Sequence, residues 1–212
     1  MATTDTPSAE RPVLTVEGAL VALGPMRRDL LPLYQRWIND LATVRSLALP
    51  PRPISLEAET AWYDGLAAGD IAVFTIYERA TWRPVGNLDL RDIDPRNRTA
   101  GFGILIGETD CRGRGYGTEA TRLALDYAFT ALGLHNVLLS CYEFNLAGQR
   151  AYAKAGFREI GRRRQCRWMG GRLWDEIFMD CVATEFASPV LGRVFVPDAP
   201  DGGTRVTEPP RR

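Results

Sequence analysis

Arg112-Gly113-Arg114-Gly115-Tyr116-Gly117-Thr118 lies between an apolar run, Ala100 to Ile106, and a stretch of helical periodicity. After it, Ala120, Leu123, Ala124, Tyr127, Ala128 and Ala131 recur at i, i+3, i+4 spacing, and Gly133 ends the pattern. The order is therefore strand, glycine loop, helix. Glycines let the backbone approach an anion closely, and a helix N-terminus aims free N–H groups and partial positive charge at it. Arg112 and Arg114 can add charge-assisted bonds, and Thr118 offers a hydroxyl. A pyrophosphate-bearing ligand suits such a loop, although a tight turn alone can also need these glycines. Two phosphate-binding patterns are excluded. Gly117-Thr118-Glu119 lacks the lysine of a Walker loop, and the spacing Gly113-x-Gly115-x-Gly117 is not that of a dinucleotide-binding G-x-G-x-x-G.

Upstream, Gly18 to Leu23 is a short strand candidate, Asp29 can cap a helix reaching Asn39, and Ser55 can cap a second that stops at Gly69. Ile71 to Tyr77, Val85 to Leu90 and Ala100 to Ile106 are strands, with turn chemistry at Asp94-Pro95-Arg96-Asn97. Downstream come a buried strand, Val137 to Tyr142, and a helix over 146–155. Two further strands, Phe157 to Trp168 and Leu173 to Val182, flank the hairpin turn Met169-Gly170-Gly171-Arg172. Short turns favour antiparallel pairing, but the helix between strands 100–106 and 137–142 demands a parallel crossover. The expected fold is α/β (α+β): a mixed, mostly antiparallel sheet of six to seven strands with one parallel pair and helices on both faces.

At 212 residues and 45% apolar content, the chain suits one folded domain, over about 13–187. Residues 1–12 are expected to be a loose leader, and 188–212 a Pro/Gly-rich tail whose short apolar stretch Val190 to Val196 can still dock on something. Twenty-six basic residues balance twenty-six acidic ones, which argues against a nucleic-acid partner. The sequence has neither a membrane-spanning apolar run nor a signal peptide, and a cytoplasmic location is expected. Cys111, Cys141, Cys166 and Cys181 form no C-x-x-C pair, and His135 is the one histidine, so no metal site is expected.

The sequence resembles the GNAT acetyltransferase superfamily. Arg112-x-x-Gly115-x-Gly117 matches its acyl-CoA signature, and Asn145-Leu-Ala-Gly-Gln-Arg-Ala-Tyr152-Ala-Lys-Ala-Gly156-Phe157 matches a second segment of the family, in the right order. Trp37-Ile-Asn39-Asp40, Phe102-Gly-Ile-Leu-Ile-Gly107 and Glu185-Phe186 are similar to the branch of ribosomal-protein N-terminal acetyltransferases and their small-molecule relatives. The resemblance covers about 15–187. It implies a V-shaped splay between strands 100–107 and 137–143, with the pantetheine arm of acetyl-CoA against Ile104, Leu105 and Ile106. It also implies a pyrophosphate on Arg112, Gly113, Arg114, Gly115, Tyr116, Gly117 and Thr118, with Asn145 and Tyr152 on the other side. Acetyl transfer to a primary amine of a small molecule, by direct attack through a tetrahedral intermediate, is the implied activity. A protein N-terminus as acceptor and a non-catalytic acyl-CoA-binding module are the alternatives. The branch also admits a homodimer.

Acyl transfer requires a neutral amine, an oxyanion donor such as a backbone N–H near Gly103 to Leu105, and a proton for the departing thiolate. The resemblance nominates Tyr152 as general acid. The family's strand glutamate is absent, because Ala100-Gly101-Phe102-Gly103 stands where an Ala-Glu-x-Gly pattern would. Asp89, Glu143, or a water chain oriented by Asp89 can replace it. Trp37, Arg45, Trp62, Tyr63, Arg91, Tyr142, Trp168 and Trp174 are the expected acceptor surroundings, and most could equally be core. Arg162-Arg163-Arg164 with Arg167 is a solvated strand face, or a contact for the CoA 3′-phosphate or an acidic substrate. His135 reads as structural.

Overall fold

The computed structural model describes residues 11–47 and 52–198. The expectations for residues 1–10, for Pro50-Pro51 and for 199–212 lie outside the described residues. Eight strands, β1 (Val16–Glu17), β2 (Val21–Pro25), β3 (Ala72–Glu78), β4 (Pro84–Asp94), β5 (Thr99–Ile106), β6 (Asn136–Tyr142), β7 (Arg158–Met169) and β8 (Arg172–Val182), form one sheet in the order β1-β2-β3-β4-β5-β6-β8-β7. The helices are α1 (Leu31–Asn39), α2 (Leu41–Val44), α3 (Leu56–Gly65), α4 (Tyr116–Asp126) and α5 (Leu146–Ala155).

The mixed sheet is as expected, but among the described residues it has eight strands rather than six or seven. The run expected as one strand, 18–23, is instead a turn followed by β2. The Glu119 carboxylate accepts from the N–H groups of Ala19, Leu20 and Val21 at 3.0, 2.6 and 2.7 Å. This tie between α4 and a remote turn separates β1 from β2, and no local sequence signal announces it. Asp29 pairs with Arg27 instead of capping α1, which begins after a 3-10 turn at Arg28–Leu30. Ser55 caps α3 simply, as expected, accepting from Ala58 N–H at 3.2 Å.

Period-two alternation distributes side chains to the two faces of the sheet. Phe74 and Ile76 of β3 and Ala100 and Phe102 of β5 enter a large core with α4 residues Ala120, Leu123 and Ala124. Val73 and Leu105 point the other way, into a smaller cluster with Leu31, Tyr34 and Trp37 of α1 and Tyr63 of α3. Helices therefore cover both faces, α4 and α5 on one and α1 and α3 on the other.

All neighbouring strands run antiparallel except β5 and β6. Their parallel pairing covers Thr99↔Asn136, Ala100↔Val137 and Gly101↔Leu138 and then stops. From Phe102 and Leu139 onward the two strands diverge, and the facing edges are left without ladder bonds. This is the expected splay. Beyond residue 187 the chain folds back onto α4. The fully buried Asp126 carboxylate accepts from Ser188 Oγ (2.5 Å) and from the N–H groups of Val190 (2.9 Å) and Leu191 (2.8 Å), and Leu191 is buried in the large core.

Candidate active site

The divergence of β5 and β6 opens a cavity of about 660 Å³. It is lined from both faces of the sheet: Leu88, Phe102 and Ile104 belong to the α4 side, and Asn87, Asp89, Arg91, Gly103 and Leu105 to the α1 side. Leu139, Ser140 and Cys141 of β6 form the opposite wall, Tyr152 enters from α5, and α1 and α3 contribute Tyr34, Trp37, Glu59 and Trp62.

Asp89 sits on β4 opposite Gly103. Its Oδ1 accepts from Arg91 Nη1 at 2.6 Å, and Arg91 Nη2 reaches the Phe102 carbonyl at 3.4 Å. The Arg91 side chain lies across β5 because Gly101 and Gly103 carry nothing. A Cβ at Gly103 would come within 2.4 Å of Arg91 Nη1 and 2.7 Å of Asp89 Oδ2, and one at Gly101 within 3.3 Å of Arg91 Cγ. With glycine at 101 and 103, the Asp89–Arg91 pair fills the space above the strand. Burial raises the Asp89 carboxyl above the usual carboxylate range, and the Arg91 guanidinium opposes the shift without cancelling it.

Tyr152 packs edge-on against Phe102 (6.5 Å between centroids, 88°) and Phe157 (6.2 Å, 69°). Burial pushes its phenol far above the ordinary value, with a smaller upward push from Cys141. It is a protonated donor at any physiological pH. Burial also drives the Cys141 thiol up to about 11, so this neighbour is a neutral thiol. Glu143 does not line the cavity; its carboxylate accepts from the Asp175 N–H on β8 at 3.4 Å.

The glycine loop follows β5 after a 3-10 turn, Thr109–Cys111. Gly115 is the residue before α4 and has φ +87°, the left-handed region where a side chain is strained. The N–H groups of 113–118 have no hydrogen-bond partner among the described residues. That row of free amides at a helix start fits a pyrophosphate. Arg112 is used otherwise than expected. Its guanidinium bonds the Ile106 carbonyl (3.2 and 3.0 Å) and Thr43 Oγ1 (2.7 Å), bracing the end of β5 to α2. Arg114 lies 3.5 Å from Glu78, which also accepts from the Tyr116 hydroxyl at 2.6 Å. The loop therefore presents its backbone amides and the half-exposed Arg114, while Arg112 is engaged at the end of β5. Thr118 is partly buried in the first turn of α4. Asn145 caps α5, accepting from Gly148 N–H at 3.0 Å. Ile104 and Leu105 line the cavity, whereas Ile106 packs on the large core.

A sequence model of the acetyltransferase (GNAT) domain matches residues 21–158. The chain belongs to the GNAT acetyltransferase family. Curated relatives include a spermidine N(1)-acetyltransferase of Vibrio cholerae, 31% identical over 47% of this chain and 57% of that protein. Another is the human alpha/beta-tubulin-N-acetyltransferase 9, 28% identical over 68% of this chain and 74% of that protein. An uncharacterized N-acetyltransferase of Bacillus subtilis matches at 30% over 34% of this chain, and the match spans 43% of its own length. Among solved structures, the V. cholerae spermidine N-acetyltransferase in complex with CoA and spermine superposes with a TM-score of 0.72 at 22% identity, covering 79% of this chain and 98% of that one. A GNAT acetyltransferase from Bacillus anthracis gives 0.69 at 18%, covering 80% and 99%. At these identities the superpositions speak to the fold.

Of the expected acceptor surroundings, this GNAT domain brings Trp37, Trp62 and Arg91 to the cavity. Tyr142, Trp174 and Trp168 lie elsewhere: Arg167 stacks on Tyr142, Arg172 stacks on Trp174, and Trp168 is 67% exposed on the outermost strand. Arg45 and Tyr63 are likewise outside the lining, although Tyr63 packs on the smaller cluster. His135 sits in the turn before β6, where its N–H donates to the Arg98 carbonyl and its own carbonyl accepts from Ala183. Glu59, the one buried residue of α3, went unforeseen in the sequence. A glutamate on a polar helix carries no mark of burial; its i, i+4, i+7 relation to Tyr63 and Leu66 was the available signal. Among the described residues there is no helix long and apolar enough to cross a membrane.

Proposed function

We propose that this GNAT domain transfers an acetyl group from acetyl-CoA to a primary amine of a small molecule, with Asp89 and Tyr152 as its catalytic groups. The convergence of a raised carboxyl and a buried phenol in one cavity, from opposite faces of the splayed sheet, carries the reading. The free amides of 113–118 suit the CoA pyrophosphate, and the open edge of β5 beyond Gly101 suits the pantetheine amides and the thioester oxygen. Acetyl-CoA supplies the activated acyl group. The amine nitrogen forms a bond to the acyl carbon as its proton passes to Asp89, directly or through one water. The carbon–sulfur bond then breaks, and Tyr152 donates to the sulfur. Spermidine-acetylating relatives support a small amine as acceptor.

One comparison favours a second reading. The tubulin-acetylating relative matches more of this chain than the spermidine enzyme does, 68% against 47%, and supports a polypeptide acceptor. Acetyl-CoA-dependent thiol release across polyamines, amino sugars, amino acids, aminoglycosides and short peptides separates the two. Turnover on small amines is the expected result. Turnover confined to peptides replaces the proposal with the second reading, and silence across all classes removes both.

A further inference from the structure

Helix α3 turns Tyr63 toward the smaller cluster, Leu66 just after its end does the same, and one turn before Tyr63 the same stripe holds Glu59. Glu59 is 8% exposed and lines the cavity. Nothing among the described residues relieves its burial: desolvation alone acts on the carboxyl and raises it, with no hydrogen bond or nearby charge to offset it. Residues 48–51, Ala48-Leu49-Pro50-Pro51, contain no ionisable side chain that could serve. A second orphan lines the same cavity. Asn87 Oδ1, on β4 two residues before Asp89, is buried without a donor. Buried polar atoms are ordinarily satisfied, and each exception needs a reason. Both are acceptors, and neither has a donor among the described residues. The cations in the lining do not provide one: Arg91 is held by Asp89, and Arg52 is exposed. Trp37 and Trp62 are also in the lining, and indole rings attract cations.

We propose that Glu59 and Asn87 form a second cation subsite, so that the preferred acceptor carries an additional ammonium group beside the amine that is acetylated. This rests on the reading that the acceptor enters this cavity. The additional ammonium donates to the Glu59 carboxylate and to Asn87 Oδ1, satisfying both orphans at once, and the gain of a positive partner holds Glu59 ionised. Glu59 is then a specificity residue: it chooses dications over monocations.

Calorimetric titration of 1,4-diaminobutane and of butan-1-amine into the whole chain, with and without CoA, tests the subsite independently of turnover. Wild type should bind the diamine roughly tenfold or more tightly than the monoamine. Glu59→Gln should collapse that ratio toward one, Glu59→Asp should preserve most of it, and Asn87→Ala should reduce it. Thermal unfolding checks that each variant is folded; should Glu59→Gln fail, the Glu59→Asp and Asn87→Ala pair decides. Equal affinity for the two amines in wild type, or a ratio that survives Glu59→Gln, overturns the subsite. Discrimination without acetylation of any amine retains the subsite and removes the proposed activity. Acetylation without discrimination does the reverse.

Discussion

Asp89 stands where burial and an ion pair compete, and burial dominates. A carboxyl raised in this way is a better proton acceptor than an exposed one, because its conjugate acid is weaker. The sign of its pH dependence follows. The basic form exists above the raised pKa, so kcat/KM should fall as pH drops through it, at a pH above the ~3.9 of an ordinary aspartate. Asp89→Asn should lower kcat/KM by roughly 10- to 100-fold and abolish that acidic limb. An identical pH–rate profile in wild type and variant would remove Asp89 as the base. Tyr152 serves the opposite need. Its phenol remains protonated, and Tyr152→Phe should reduce kcat about tenfold or more, while CoA titration gives the wild-type affinity. Equal kcat values would dismiss the general acid. Both residues were nominated from the sequence, Tyr152 by its place in the 145–157 segment and Asp89 by the loss of a glutamate at 101. Glu59 was not, because its significance comes from burial, which a single residue's identity does not reveal.

At the scale of the element, the link between the glycine loop and α4 is the most local feature of the molecule and was the most legible. Gly115 at φ +87° and the unbonded amides of 113–118 form one device, a turn that ends with donors pointing outward. Gly115→Glu adds a strained conformation and a negative charge to that device, and CoA affinity should fall by about a hundredfold or more in a calorimetric titration. Gly115→Ala, which keeps the strain without the charge, should lose less. Equal losses would assign the effect to backbone geometry, and wild-type affinity in both would remove the loop as the phosphate site. What the loop's sequence did not disclose is the use of Arg112. Arginine in a phosphate loop suggests an anion, yet this one spans from the Ile106 carbonyl to Thr43 Oγ1, a partner 69 residues away.

At the scale of the whole molecule, Asp126 is the counterpart of that long reach. A fully buried carboxylate on α4 gathers the 188–191 segment through a hydroxyl and two backbone N–H groups, and Thr130 adds a fourth donor. Asp126→Ala leaves those donors without an acceptor. The variant should be less stable by about 3 kcal/mol, with a midpoint lower by roughly 6–12 °C and faster proteolysis beyond residue 187. A thermal midpoint within about 2 °C of wild type would show that the docked segment contributes nothing to stability.

Sequence alone determined whatever depends on neighbours along the chain. The strand–loop–helix unit at 100–131, the helix at 146–155 closed by Gly156, the hairpin at 169–172 and the need for one parallel crossover all follow from periodicity, glycine placement and loop length. Tertiary structure decided what those elements share. Asp89 and Tyr152 belong to opposite faces of one sheet, and side chains so placed ordinarily never meet. They line a common cavity because β5 and β6 pair over three residues and then part. That parting arises from how two strands remote in sequence pack against the helices on either side, and helix α3 buries Glu59 in the lining of the same cavity.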